Sequence, residues 1–343
     1  MTRRPALLPE RPRWKWEAFV DALSDVLRAV RLTGAFFFDV QACAPWCAET
    51  PQGKSVVSAM FPNSGSDHLI SYHLLIEGTC WATLDGEEPI QLTAGDIIVL
   101  PHGDTHVLAT KPGMRKSPEM SLYRMPDSGI LPSRISVGSA GGESAHFVCG
   151  FLACDTRPYN PLITALPRVI VVKNHAGGPL GAYFSAALAE SKNSRPGGAD
   201  MLGRISELMF VDVVRRHLEA MPADRMNWLA GLRDQYIGRA LMALHSNPSR
   251  AWTLEALAQE AALSRSAFAE RFVEYVDQTP MQYLTNWRMQ LATNYLRGGN
   301  ESVANVASRV GYDSEAAFSR AFKKSMGAPP SEWRNQRIAG RAA

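Results

Sequence analysis

"SVANVASRVGYDSEAAFSRAF", residues 302–322, restates "TLEALAQEAALSRSAFAERF", residues 253–272. Val306-Ala307 corresponds to Leu257-Ala258 at an offset of 49, while Ser314, Phe318 and Phe322 correspond to Ser264, Phe268 and Phe272 at an offset of 50. The later copy therefore has one more residue in its turn. In each copy a short helix with a small alanine lets a second helix cross it closely. Ser264 and Ser314 are placed to cap that second helix, and each Phe pair, being i and i+4, shares its buried face. The outward faces then carry Arg265, Ser266, Ala269 and Glu270 in the first copy, and Glu315, Ala316, Ser319, Arg320 and Lys323 in the second. Two helices joined by a tight turn, the second with a polar outer face, make a helix-turn-helix suited to a major groove about 12 Å wide.

Helical hairpins also build solenoids, but a solenoid needs three or more copies and two are visible. Between them lies "PMQYLTNWRMQLATNYLRGG", residues 280–299. Pro280 suits a first helical turn, Leu284, Trp287, Leu291 and Tyr295 share a face, and Gly298-Gly299 ends the element. A stiff helix thus sets the spacing of two reading heads.

The segment from about 252 to 334, closing on "GYDSEAAFSRAFKKSMGAPPSEWR", resembles the DNA-binding domain of AraC-type transcription regulators. The resemblance implies double-stranded DNA and RNA polymerase as partners, with heads in adjacent major grooves about 10 base pairs apart. Arg265 and Arg320 are expected to discriminate bases, and Arg271, Lys323 and Lys324 to position the phosphate backbone. Ala269, Glu270 and Ala316 depart from the longer polar or basic side chains common in relatives. Glu270 would repel phosphate unless it accepts a hydrogen bond from a cytosine amino group.

The bulk numbers agree. A chain of 343 residues, 46% hydrophobic, supplies the cores of two or three domains. The net charge of +3 is uneven: residues 232–343 carry 14 Lys/Arg against 10 Asp/Glu, so the basic excess lies at the C-terminal end. No apolar run is long enough to span a bilayer, and the basic start leads into amphipathic sequence, so a cytoplasmic protein without membrane contact is expected. Five cysteines suit reduced thiols.

Before the repeat, residues 16–32 show helical periodicity, with Phe19, Leu23, Val26, Leu27 and Val30 on one side. From Gly34 to about Val172 the texture changes to short β-branched and aromatic runs with turns at Asp85-Gly86 and Ala94-Gly95-Asp96. Many short strands predict a barrel or sandwich. "AGDIIVLPHGDTH" holds Gly95, Pro101, Gly103 and His106 in the spacing of a second cupin motif, and "SYHLLIEG", with His73 and Glu77, resembles the first. The segment is similar to the cupin-type sensor domains that precede AraC-type DNA-binding domains, which implies an effector, as yet unidentified.

Cupins often hold a divalent metal such as zinc between histidines and a carboxylate. Here Ser71 replaces the leading motif histidine, leaving His73, Glu77, His102 and His106 as candidates, with packing and turn bonding as their alternative role. Cys43-x3-Cys47 and Cys149-x4-Cys154 match neither a zinc ribbon nor a C-x-x-C redox pair, so buried inert thiols are the default and an oxidant switch the alternative. Residues 180–192 and 201–219 return to helical periodicity and either cover the barrel or join two copies into a dimer.

The expected architecture is a multidomain α+β chain. It comprises a cupin-like β-barrel with flanking helices over 16–175, a helical connector over 176–230, and an all-α domain with two helix-turn-helix motifs over 231–337. The expected function is a sequence-specific transcription regulator and not an enzyme. The rival is a metal-dependent cupin enzyme carrying a DNA-binding tail.

Overall fold

The computed structural model of the protein describes residues 21–62, 64–124, 131–139, 141–173, 178–192, 195–222, 224–298 and 301–342. The elements of its N-terminal part are α1 (Ala22–Ala29), β1 (Thr33–Cys43), β2 (Cys47–Thr50), α2 (Gly53–Met60), β3 (His68–Glu77), β4 (Thr79–Leu84), β5 (Ile90–Thr93), β6 (Ile97–Leu100), β7 (His106–Ala109), β8 (Ser133–Gly138), β9 (Ser144–Cys154), α3 (Pro161–Ala165), β10 (Ile170–Val172), α4 (Gly178–Lys192) and α5 (Gly198–Ala220). The expected first helix starts at Ala22, where the Asp21 carboxylate accepts the Leu23 N–H. Residues 16–20 of that expectation, with Phe19, lie outside the described residues.

Two sheets face each other, one ordered β10-β6-β3-β9-β1-β8 and the other β2-β7-β4-β5. Both expected turns form. Gly86 and Gly95 take positive φ, and Asp96 closes its turn by accepting the Thr93 N–H at 2.8 Å and hydroxyl at 3.0 Å. Strands β3, β6 and β9 read as continuous apolar runs because both faces of the large sheet are covered. Leu69, Leu75, Ile98, Leu100, Phe147 and Phe151 point between the sheets, while Ile70, Tyr72, Leu74, Ile97, Val99 and Leu152 point outward beneath α5. Close packing of α5 on β1 needs two glycines: a Cβ on Gly203 would lie 2.6 Å from the Gly34 oxygen, and one on Gly34 2.6 Å from Ser206 Cβ.

The C-terminal part is helical: α6 (Trp228–Gly231), α7 (Ile237–Ser246), α8 (Leu254–Glu260), α9 (Arg265–Val276), α10 (Pro280–Arg297), α11 (Val303–Arg309), α12 (Glu315–Met326) and α13 (Pro330–Ala342). Both hairpins of the repeat appear as α8–α9 and α11–α12. The rod between them is α10, started by Pro280 and a Thr279/Gln282 capping box. The connector expected to end at residue 230 runs into α6, which packs on α7 and α9 of the helical part and also on α3 of the N-terminal part.

The cores divide differently from the domains expected of the sequence. The outer face of the large sheet, α1, α5 and the first hairpin share a single continuous core that runs as far as Trp287 on α10. The second hairpin, the C-terminal half of α10 and Trp333 form a separate one. Helix α1, expected as a flank of the barrel, is a wedge between the two parts.

Candidate nucleic-acid interface

In each hairpin the caps and ring pairs do what the repeat predicted. Ser264 accepts the Ala267 N–H at 3.3 Å and Ser314 the Ala317 N–H at 3.2 Å. Phe268, Phe272, Phe318 and Phe322 are fully buried, with ring centroids 5.6 and 5.5 Å apart in the two pairs. The tight turns pass through left-handed residues, Ala262 in the first and Gly311 in the second.

With the rings inside, the opposite faces of α9 and α12 stand in solvent. Arg265, Ser266, Glu270, Glu315, Ala316, Arg320, Lys323 and Lys324 are exposed, and Ala269 and Ser319 are half-buried beside them. Neither face is covered by the barrel. The two differ in charge. Arg265 is held at 2.9 Å by Glu255, whereas Arg320, Lys323 and Lys324 face no carboxylate within ion-pair distance among the described residues. A cleft of about 540 Å³ separates the heads, lined among others by Trp252, Arg288, Tyr312 and Ser314.

Arg271 departs from its expected role on the phosphate backbone. Its guanidinium grips Asp234 through Nε at 3.3 Å and Nη2 at 2.5 Å and lies over the rings of Tyr236 and Tyr275. That arrangement holds the Asp234 carboxyl below its usual range against the effect of burial, and it ties the arginine to the body of the domain. Sequence reading also passed over Val273, which is 41% exposed and lies four residues beyond Ala269 on the same face. The missed signal was the offset of 50, which sets it opposite Lys323.

The cupin-motif residues do not converge on a metal. His73 and His106 are buried, with Nε2 atoms 2.6 Å apart; His73 Nδ1 lies 2.8 Å from Cys149 Sγ, and His106 Nδ1 lies 2.8 Å from the Asp104 carbonyl. A carbonyl only accepts, so His106 carries its proton on Nδ1 and accepts from His73 Nε2–H, and His73 Nδ1 accepts from the Cys149 thiol. Every lone pair of the two rings is spent in this relay. Burial holds both histidines neutral, pushing His106 down to about 4 and His73 well below its ordinary value. His102 bonds the Leu166 carbonyl at 2.9 Å instead, and Glu77 is exposed at the end of β3. His73, His106 and Cys149 adjoin one another in a chain of hydrogen bonds, with their lone pairs turned to each other, and among the described residues no group of three or more His, Cys, Asp or Glu side chains is arranged to hold a metal ion, so these donors as placed do not fit a bound divalent ion.

The cysteines are free thiols. Cys149 and Cys154 are buried and burial raises both, while Cys47, half-buried beside Glu49, is raised less far; Cys43 is half-buried at the end of β1. Raised thiols carry little thiolate and react slowly.

Polar groups cross the seam between barrel and heads. The Ala29 carbonyl, at the end of α1, accepts Gln290 Nε2–H at 3.0 Å and Asn294 Nδ2–H at 2.9 Å. Arg297, half-buried, pairs with the buried Asp155 just beyond β9, and Gln278 donates to the Tyr159 hydroxyl at 2.8 Å. His245 Nε2 meets the Tyr283 hydroxyl at 2.7 Å, and that hydroxyl also accepts the Trp228 indole N–H at 2.9 Å.

Fold and site together define a DNA-binding protein with two helix-turn-helix heads behind a cupin domain. A helix-turn-helix domain model matches residues 257–336 and a cupin model residues 21–219. An AraC-like transcription regulator of Streptomyces lividans is 35% identical over 272 residues, 78% of this chain and 86% of its own length. The regulator AlkR of Acinetobacter baylyi is 28% identical over 324 residues, 92% of this chain and all of its own. The solved DNA-binding domain of AdpA, in complex with a target DNA, aligns with 32% of the chain and 98% of its own length at 27% identity, with a TM-score of 0.31. The chain belongs to the AraC-type transcription regulators.

Proposed function

We propose that the two heads bind successive major grooves on one face of a duplex and that the barrel domain receives a signal that alters this binding. The exposed face of α12, where Arg320, Lys323 and Lys324 make no ion pair among the described residues, carries the reading, because a helix face with a cationic excess is what a phosphate-lined groove attracts. Selection from a randomised duplex pool in moderate salt tests it. Two conserved half-sites about one helical turn apart are expected; enrichment of no sequence would contradict it.

The seam is the proposed route of control. Strand β9 carries Cys149 of the buried relay and ends beside Asp155, which holds Arg297 on the rod between the heads. Asp25 Oδ2, His245 Nδ1, Trp287 Nε1 and Asn294 Oδ1, all at this seam, are buried without a hydrogen-bond partner. Each such group costs about 1–3 kcal/mol. Opening the seam returns them to water, which offsets part of the apolar surface exposed and brings two arrangements close in free energy. An effector shifts them only by binding one better.

RNA polymerase is the proposed further partner, and the cytoplasm the proposed compartment; no helix among the described residues is long and apolar enough to cross a membrane. The chain is read as a regulator and not an enzyme, a reading supported by relatives named as transcription regulators and by the engagement of His73 and His106 with each other, Cys149 and the Asp104 carbonyl. A dimer is proposed through the outer face of α5, where Met201 and Leu208 are 53% and 47% exposed about two helical turns apart. Leu208→Asp should then lower the sedimentation coefficient from dimer to monomer.

A further inference from the structure

The first head is poorly equipped to hold DNA by charge. Its outward face offers Arg265, already paired with Glu255, against the exposed Glu270 and Glu274, and its remaining arginine, Arg271, is tied to Asp234. The second head presents Arg320, Lys323 and Lys324 against Glu315 alone. At the position where the second head carries Lys323, the first carries Val273, 41% exposed, with the Ala269 methyl one turn before it. An exposed valine and an alanine in the middle of a reading face give it an apolar strip where its twin has a cation.

Resting on the two-groove reading above, we infer that Val273, with Ala269, determines specificity in the first half-site by packing on thymine methyl groups. The methyl is the apolar feature of the major-groove code; every other feature there is a hydrogen-bond donor or acceptor. The isopropyl group of Val273 cannot bond donors or acceptors, and leaving a base's polar edge dry against it is unfavourable. A thymine edge presents a surface it can cover. The Glu270 carboxylate, three residues before Val273, sits beside the strip and disfavours neighbouring phosphate, so the head gains from fit to the base edges and little from the backbone.

The test uses the full chain, its selected duplex, and Val273→Ser, with circular dichroism confirming that the variant folds. Arg320→Ala marks which half-site belongs to the second head, because its selected bases relax there. In the other half, replacing a selected thymine by uracil removes only the methyl group. Wild type should lose about fourfold in affinity at that position, the worth of one buried methyl, and Val273→Ser should be indifferent to the replacement. Wild-type binding indifferent to uracil throughout the first half-site, or a Val273→Ser chain that keeps the same thymine preference, would overturn the inference while leaving the two-groove reading intact. A wild-type chain that selects no sequence would overturn both.

Discussion

The two heads share a scaffold and differ in nearly everything attached to it. Caps, crossing alanines and ring pairs repeat at an offset of 49 or 50, yet the second head closes around its own core with Trp333 while the first shares its core with α1 and the barrel. The second shows Arg320, Lys323 and Lys324 exposed and outside any ion pair among the described residues; the first has its arginines engaged and shows Ala269 and Val273. Packing and reading are thus separable in one motif. The buried residues specify the hairpin, and the outer ones divide the work between the copies. On the reading proposed above, the second reads bases through Arg320 and adds cationic attraction for the backbone, and the first reads through apolar contact and shares its core with the barrel domain.

The largest effect that would break this contrast comes from the cores. Phe322→Ala and Phe272→Ala each remove a fully buried ring and should cost about 3–5 kcal/mol. The first should loosen only the second head, whereas the second should also reduce amide-exchange protection in β3 and β9, because their outer faces lie in the same core. Equal, local losses would show that the heads are energetically alike.

Acidification should separate them next. His245, buried in the first head's core, is pushed down to about 3 by burial, against an ordinary 6.5. A histidine depressed in the folded state contributes stability that is present above its unfolded value and lost as pH falls toward the folded one. The first head and its seam should therefore lose on the order of 3 kcal/mol between pH 7 and pH 4. Exchange protection across that window should fall in α7 and α10 before α12, and His245→Gln should flatten the slope.

On DNA, Arg320→Ala should cost about 1–3 kcal/mol at the selected site and much less on random duplex. Arg265→Ala should cost less, since Glu255 already occupies its guanidinium, and Glu255→Gln should tighten binding by freeing it. Smallest is Lys324→Ala, expected to weaken all sequences alike and to reduce the dependence of log affinity on log salt by about one. Fluorescence anisotropy titrations over a salt series measure all three.

Much of this was legible in the residues. The hairpins, their caps and the rod follow from short-range spacing, and the strands and turns of the β-domain from Gly and Asp placement. The seam was not, because it joins segments far apart in the chain: Gln290 Nε2 donates to Ala29 across 261 positions. A trace of it was present, since Gln290 falls on the inward phase of α10 and is fully buried. A polar residue at a buried phase calls for a partner, but periodicity cannot say which. Arg271 misled for a similar reason, as Asp234 lies outside the repeat. His73 and His106 lie on β3 and β7, but which lone pairs they keep depends on Cys149, far away in the chain, and on the backbone carbonyl of Asp104, which the motif's spacing leaves unspecified.

The most direct measurement is the affinity of the full chain for its selected duplex with about five base pairs, half a helical turn, inserted between the half-sites. The insertion rotates one groove to the far side of the DNA, while α10, anchored by a capping box and packed in both cores, keeps the heads in place. Binding should fall to that of a single half-site. Affinity unchanged by the insertion would mean that the heads do not read adjacent grooves together.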